Sequence, residues 1–157
     1  MKMDIRLYKA SDCMEVVDLF HGAVHGIPNT FYSEGQLEAW SPTPPDYQFW
    51  QVRLAAKQPF VAVDHNTIIG FIELEDNGHI DCLYVHNHYQ GQGVAGQLLR
   101  HVMQVAQEKD IDELYVEASK VAVSLFEKHG FELKNSNVVT LGAQLLTNYQ
   151  MTQSVKK

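Results

Sequence analysis

The segment Tyr89-Gln90-Gly91-Gln92-Gly93-Val94-Ala95-Gly96 constrains this chain more than any other. It separates a strand-like stretch, residues 79–86, from a segment over 93–108 in which Val94, Leu98, Val102 and Val105 recur at helical spacing. Glycines at such a junction let the backbone approach a ligand without a Cβ clash. The unpaired N–H groups of the first helical turn, at the positive end of the helix dipole, then form a cradle for a pyrophosphate. A plain strand-to-helix turn needs one glycine; three between flanking glutamines favour the cradle.

The remaining segments follow from periodicity and punctuation. Ile5, Leu7 and Tyr8 predict a first strand, and residues 12–25 a helix opened by an Asp12/Glu15 capping pair. Ser33 and Gln36 form a capping box before a short helix bearing Trp40. Pro42, Pro44 and Pro45 enforce a loop, after which Asp46 caps a further helix. Strands over 60–63, 68–74 and 79–86, separated by turns at 64–67 and 76–78, make an antiparallel meander. Beyond the 93–108 helix come a strand over 112–118, a helix over 119–129 closed by Gly130, and a hairpin of residues 131–141 and 144–151 around Gly142. The order describes a mixed α/β domain with one central sheet, residues 1–153, and a frayed tail, residues 154–157.

Composition narrows the function. At 157 residues the chain fits one core. Its net charge of −7 argues against sequence-independent nucleic-acid binding, which needs clustered Lys and Arg. The lack of a long apolar run argues against a membrane span, and the N-terminus lacks a secretory pattern, so a cytoplasmic location is expected. Cys13 and Cys82 have no zinc spacing and are expected to be reduced.

Gly91, Gly93 and Gly96 also spell G-x-G-x-x-G, and Glu117 follows about 20 residues later, as in a dinucleotide-binding fold. A dinucleotide-binding oxidoreductase is thus an alternative. Residues 86–90 intervene between strand and first glycine, the strand carries His79 and Asp81, and the upstream strands form hairpins, all of which weigh against it.

Gln90-x-x-Gly93-x-Ala95, with Leu125-Phe126-Glu127-Lys128-His129-Gly130-Phe131, resembles the GNAT N-acetyltransferase superfamily, and the wider pattern resembles its YafP-type bacterial members. Ala39-Trp40, Gly78-His79-Ile80-Asp81 and Leu146-Thr147-Asn148 carry that wider likeness. The resemblance implies a GNAT-like fold: a central, mostly antiparallel twisted sheet with a splayed strand pair, flanked by about four helices. It implies acetyl-CoA as cosubstrate and a small-molecule or protein amine as acceptor; no metal is expected, and either a monomer or a homodimer is open. By the same resemblance, backbone N–H groups of Gln92, Gly93, Val94, Ala95 and Gly96 would hold the pyrophosphate, with Gln90 and Gly91 also among the cofactor-binding residues. Leu83, Tyr84 and Val85 would run along the pantetheine, and Ser119 and Phe126 would flank its thiol end.

Acyl transfer to an amine needs a neutral amine, a polarised thioester and a proton for the leaving thiolate. Asp81 and His79, sharing one strand face, are candidate bases, with Glu73 and Glu117 next. Strict alternation turns Cys82 away from Asp81 and sets Asp81 beside Leu83 and Val85. The family often places a tyrosine where this chain has Phe126, which has no proton to give; Ser119, Tyr84 or water would then serve. That substitution keeps a second alternative open, a non-catalytic acyl-CoA binding module. His25, Tyr32, Trp40 and Asn148 are acceptor-pocket candidates. The His86-x-His88 pair near His79 and Asp81 reads as a solvated loop more readily than as a metal site.

Overall fold

Local signals set most element boundaries in the computed structural model, which describes residues 2–155. The helices are α1 (Cys13–His25), α2 (Glu34–Trp40), α3 (Tyr47–Lys57), α4 (Val94–Glu108) and α5 (Val123–Lys128). The strands are β1 (Met3–Leu7), β2 (Phe60–Asp64), β3 (Thr67–Leu74), β4 (His79–Val85), β5 (Glu113–Ala118), β6 (Glu132–Leu141) and β7 (Gln144–Ser154). The Ser33/Gln36 capping box forms in both directions, and the Asp46 carboxylate accepts the Phe49 N–H at 3.0 Å.

Three expectations are corrected. The Asp12/Glu15 pair does not cap α1: Asp12 takes the Lys9 N–H and the Arg6 guanidinium, while Glu15 Oε2 accepts the Ile68 N–H at 2.7 Å. The helix expected from 119 starts at Val123, because Ser119 O accepts the Ala122 N–H in a separate turn first. The C-terminal strand does not fray at 154: Ser154 pairs with Glu113, and buried Val155 donates its N–H to Asp112 O at 2.9 Å. Residues 156 and 157 of the expected tail lie outside the described residues.

The strands form one sheet in the order β1-β2-β3-β4-β5-β7-β6, antiparallel except for the β4–β5 pair. Each face carries its own core. On one side, α4 lays Val94, Leu98, Leu99, Val102 and Ala106 against Ile69, Ile72, Ile80, Leu114 and Val116. On the other, α1 lays Val16, Val17, Phe20 and Val24 against Val61, Ile68, Phe71 and Cys82. The expected mixed sheet, mostly antiparallel and flanked by helices, is present, with five α-helices among the described residues.

Two features of the sheet position the site. First, β4 and β5 pair only at His79↔Tyr115 and Ile80↔Val116, then part, so a gap opens in the middle of the sheet. Second, Ile72 faces Leu83 but Leu74 faces Ile80, so β4 carries one extra residue there. Such a bulge re-aims side chains. Ile80 and Leu83 both join the α4 core, while Cys82 and Asp81 both reach Arg53 on α3. The expected alternation, with Cys82 turned away from Asp81, is broken by that bulge.

Candidate active site

The loop after β4 is shaped by its glycines. Gly91 and Gly93 have φ of 75° and 83°, a left-handed conformation costly for side chains carrying Cβ, and nothing lies within 4 Å of where a Cβ would sit at either. Gly93 is the N-cap residue of α4, and no side chain caps that end. The free N–H groups of the first turn therefore face the loop.

Beside this loop lies a cavity of about 570 Å³. Gln90, Gly91, Gly93, Val94, Ala95 and Gly96 line it, continued by Leu83, Tyr84 and Val85 along β4. Of the expected cofactor residues, Gln92 is not in the lining; its amide donates to His88 O at 3.3 Å. Gln90 Nε2 donates to Val85 O at 3.4 Å, tying the loop back to the strand end. The sequence reading missed Arg100, Lys128 and His129, which add basic side chains to the wall. Arg100 could have been found: it lies two turns into α4, on the flank of the cradle. Lys128 and His129 sit at the C-terminal end of α5 and are brought over only by tertiary packing.

A second cavity, of about 200 Å³, opens in the gap between β4 and β5. It shares Trp40, Leu83, Tyr84, Ser119 and Ala122 with the first, so the two adjoin at those residues. Among the shared residues, Tyr84 and Ser119 carry the hydroxyl groups. Burial pushes the Tyr84 phenol well above its ordinary value, so it stays protonated, and its Oη accepts the Trp40 indole N–H at 3.2 Å. Phe126 is buried against Phe131 with ring centroids 5.0 Å apart and serves as wall.

Asp81, Glu117 and Asn148 line this second chamber, whereas His79 and Glu73 do not. Asp81 Oδ2 accepts from Arg53 Nη2 at 2.9 Å and Lys57 Nζ at 3.0 Å. Burial alone would raise its carboxyl, but Lys57 and Arg53 outweigh that and hold it below the ordinary carboxylate range. His79 is clamped at both ring nitrogens, Nδ1 by Glu75 and Nε2 by Glu117 at 2.7 Å, and stacks on Tyr115. Burial opposes its charging, yet the two carboxylates raise it above the ordinary histidine range. Glu73 is 1% exposed and paired with Arg53 Nη2 at 2.7 Å; burial raises its carboxyl, and its Oε2 has no hydrogen-bond partner.

The acceptor candidates separate. Tyr32, Trp40 and Asn148 reach the chamber; His25 does not, and instead lies in a separate cleft with its Nε2 2.7 Å from Ser41 O. Tyr32 is a tie as well as a wall. Its hydroxyl donates to Thr147 O at 3.1 Å and accepts the Lys120 N–H at 2.9 Å, joining the α1–α2 connection to β7 and to the loop after β5. Ligand atoms of Glu75, His79 and Asp81, and of Glu73, Asp81 and Cys82, converge closely, but Arg53 and Lys57 already pair the acids.

The family described as "Acetyltransferase (GNAT) domain" matches residues 29–152. The chain belongs to the GNAT acetyltransferase family. It is 32% identical over 149 residues to the uncharacterized N-acetyltransferase YafP of Escherichia coli K12, covering 95% of this chain and 94% of that one. A GCN5-related N-acetyltransferase from Rhodopseudomonas palustris superimposes with TM-score 0.91 at 30% identity, covering 98% of both chains. YncA of Salmonella typhimurium, a putative acetyltransferase solved with its cofactor acetyl-CoA, shares the fold at TM-score 0.75 and 18% identity, over 100% of this chain and 96% of that one. In this GNAT chain the glycine triplet does open a parallel β4–α4–β5 crossover, as in dinucleotide folds. Here, however, the strands pair at only two positions before parting, and β2, β3 and β4 are joined as hairpins. No helix among the described residues is long and apolar enough to cross a membrane.

Proposed function

We propose that this GNAT protein transfers the acetyl group of acetyl-CoA directly to a primary amine. The observation carrying this reading is that the two cavities adjoin where β4 and β5 part. The cradle at Gly91 and Gly93, with Arg100 and Lys128 beside it, suits a pyrophosphate. The shared neck at Leu83, Tyr84 and Ser119 suits the thioester, and the inner chamber suits the acceptor.

In the reaction the amine nitrogen forms a bond to the acetyl carbon and the carbon–sulfur bond breaks. The amine gives up a proton and the CoA sulfur gains one. Asp81 is a permanent carboxylate tied to two cations, which suits it to drawing in an ammonium and makes it a poor proton acceptor. Glu117, on the facing strand, pairs with an imidazole only, and we assign it the proton-accepting role. Tyr84, with its own hydroxyl proton available beyond the Trp40 bond, is the donor we assign to the departing sulfur, in place of the tyrosine missing at Phe126; Ser119 lines the same neck. Burial holds Cys82 well above its ordinary value, as an unreactive thiol, which favours direct transfer over an acyl-enzyme.

Acetyl-CoA should raise the melting temperature, and an amine panel should release free thiol. Glu117→Gln should lower kcat at neutral pH with partial recovery as the amine itself deprotonates. Asp81→Asn should chiefly raise the amine KM. A cofactor-induced shift with no thiol release for any amine would support the acyl-CoA binding module suggested by Phe126; no shift at all would remove the reading.

A further inference from the structure

The two joined cavities have opposite polarity. The cofactor-side cavity is lined by Arg100, Lys128 and His129 and by no Asp or Glu. The inner chamber is lined by Asp81 and Glu117 and by no Lys, Arg or His. The charges behind the chamber do not reverse this. Glu73, Glu75, Asp81 and Glu117 face Arg53, Lys57 and His79, so with all four acids ionised the carboxylates outnumber the cations by one even when the imidazole is protonated. The Lys120 ammonium sits 5.2 Å from the Tyr32 ring centroid and is not in the lining.

Resting on the acetyl-transfer reading, we infer that the acceptor is a small amine that bears no carboxylate and carries a second cationic nitrogen. A carboxylate entering the chamber would lose its water and meet two acids, with no basic side chain in the lining to pair it. A second ammonium would instead meet Asp81 or Glu117 while the first faces the thioester. The Trp40 ring in the lining also favours a cation over an anion.

The chamber points to a free small molecule rather than a polypeptide. Its volume, about 200 Å³, holds a compact molecule. It is also roofed. Tyr32 is bonded to Thr147 O and the Lys120 N–H, and Gln36 Nε2 donates to Leu145 O at 2.7 Å, so α2 is strapped down on β7. An extended peptide would have to break those ties.

Three amines of equal chain length test this: 1,4-diaminobutane, 1-aminobutane and 4-aminobutanoate, with a lysine-containing peptide as a fourth arm. The expected order of kcat/KM is diamine, monoamine, then aminobutanoate, with at least about a hundredfold between first and last. Glu117→Gln should compress that ratio by about tenfold while the acetyl-CoA-induced melting shift is retained. Turnover of 4-aminobutanoate equal to the diamine, or faster turnover of the peptide, overturns the inference. So does turnover of the monoamine or the aminobutanoate with none of the diamine. Failure of the acetyl-transfer reading would look different: no acetyl-CoA shift in the unmodified protein, or a shift with no thiol release for any of the four amines.

Discussion

Arg53 is the residue on which the charge cluster turns. One guanidinium nitrogen reaches Glu73, Asp81 and Cys82 Sγ, so it compensates a carboxylate that is 1% exposed. Removing one partner of a buried pair costs more than the pair contributes, because the remaining charge is stranded. Arg53→Met should therefore cost about 3–5 kcal/mol in urea unfolding at pH 7. Burial already raises the Glu73 carboxyl, so without Arg53 it should take up a proton, and the loss should shrink as pH falls toward 5. Gly93 is a second single-residue determinant. At φ of 83° a Cβ is strained, so Gly93→Ala should lower stability by about 1 kcal/mol and weaken acetyl-CoA binding. Calorimetry with and without the cofactor would separate the two effects. Gly93 was legible in the sequence, since its spacing and the helix behind it declare a cradle. Arg53 was not. It lies on α3 with no motif around it, and its role exists only once the bulge turns Asp81 and Cys82 toward it.

At the scale of elements, the β4–β5 junction ties structure to pH. His79 on β4 clamps Glu75 and Glu117, and its imidazole is raised above the ordinary histidine range. A raised value means that the folded state binds the proton more tightly than the unfolded chain. Its stabilising contribution is thus full below about pH 6.5 and fades as pH rises through the folded value. The melting temperature of His79→Gln should differ from wild type most at acid pH and least once the pH has passed the raised folded value, which a series of thermal scans would show. The strands and their order were legible in the alternation of apolar residues and in the turn signals at 64–67 and 76–78. The bulge was not, because an extra residue on one strand is set by how β3 and β4 settle on two different cores, and no local pattern encodes it. For that reason the sequence reading found Asp81 and Glu117 as acids but could not tell which was held by cations. It also set His25 among the acceptor residues, although the fold places it in another cleft.

Across the whole molecule, two cores on opposite faces of one sheet leave the C-terminal strand with more to do than composition suggests. β7 lies between β5 and β6, and Val155 just beyond it packs into the α4-side core at 3% exposure. Val155→Ala should cost about 1–2 kcal/mol, measured by chemical denaturation, where a frayed tail would show no change. The amphipathic helices and the meander told the sequence reading that one sheet with helices existed; that its last strand ends inside the core depends on the register Glu113↔Ser154, which is a long-range property.

The parting of β4 and β5 has a consequence for the empty protein. From Asp81 to Val85 one side of β4 meets no neighbouring strand. Its outward amides on that side are left like the teeth of a half-closed zip in the middle of the domain. An extended, amide-bearing ligand arm laid there would behave as a borrowed eighth strand. The cosubstrate would then be a structural member as well as a reagent: each turnover would loosen the domain when the product arm leaves and re-knit it when the next one arrives.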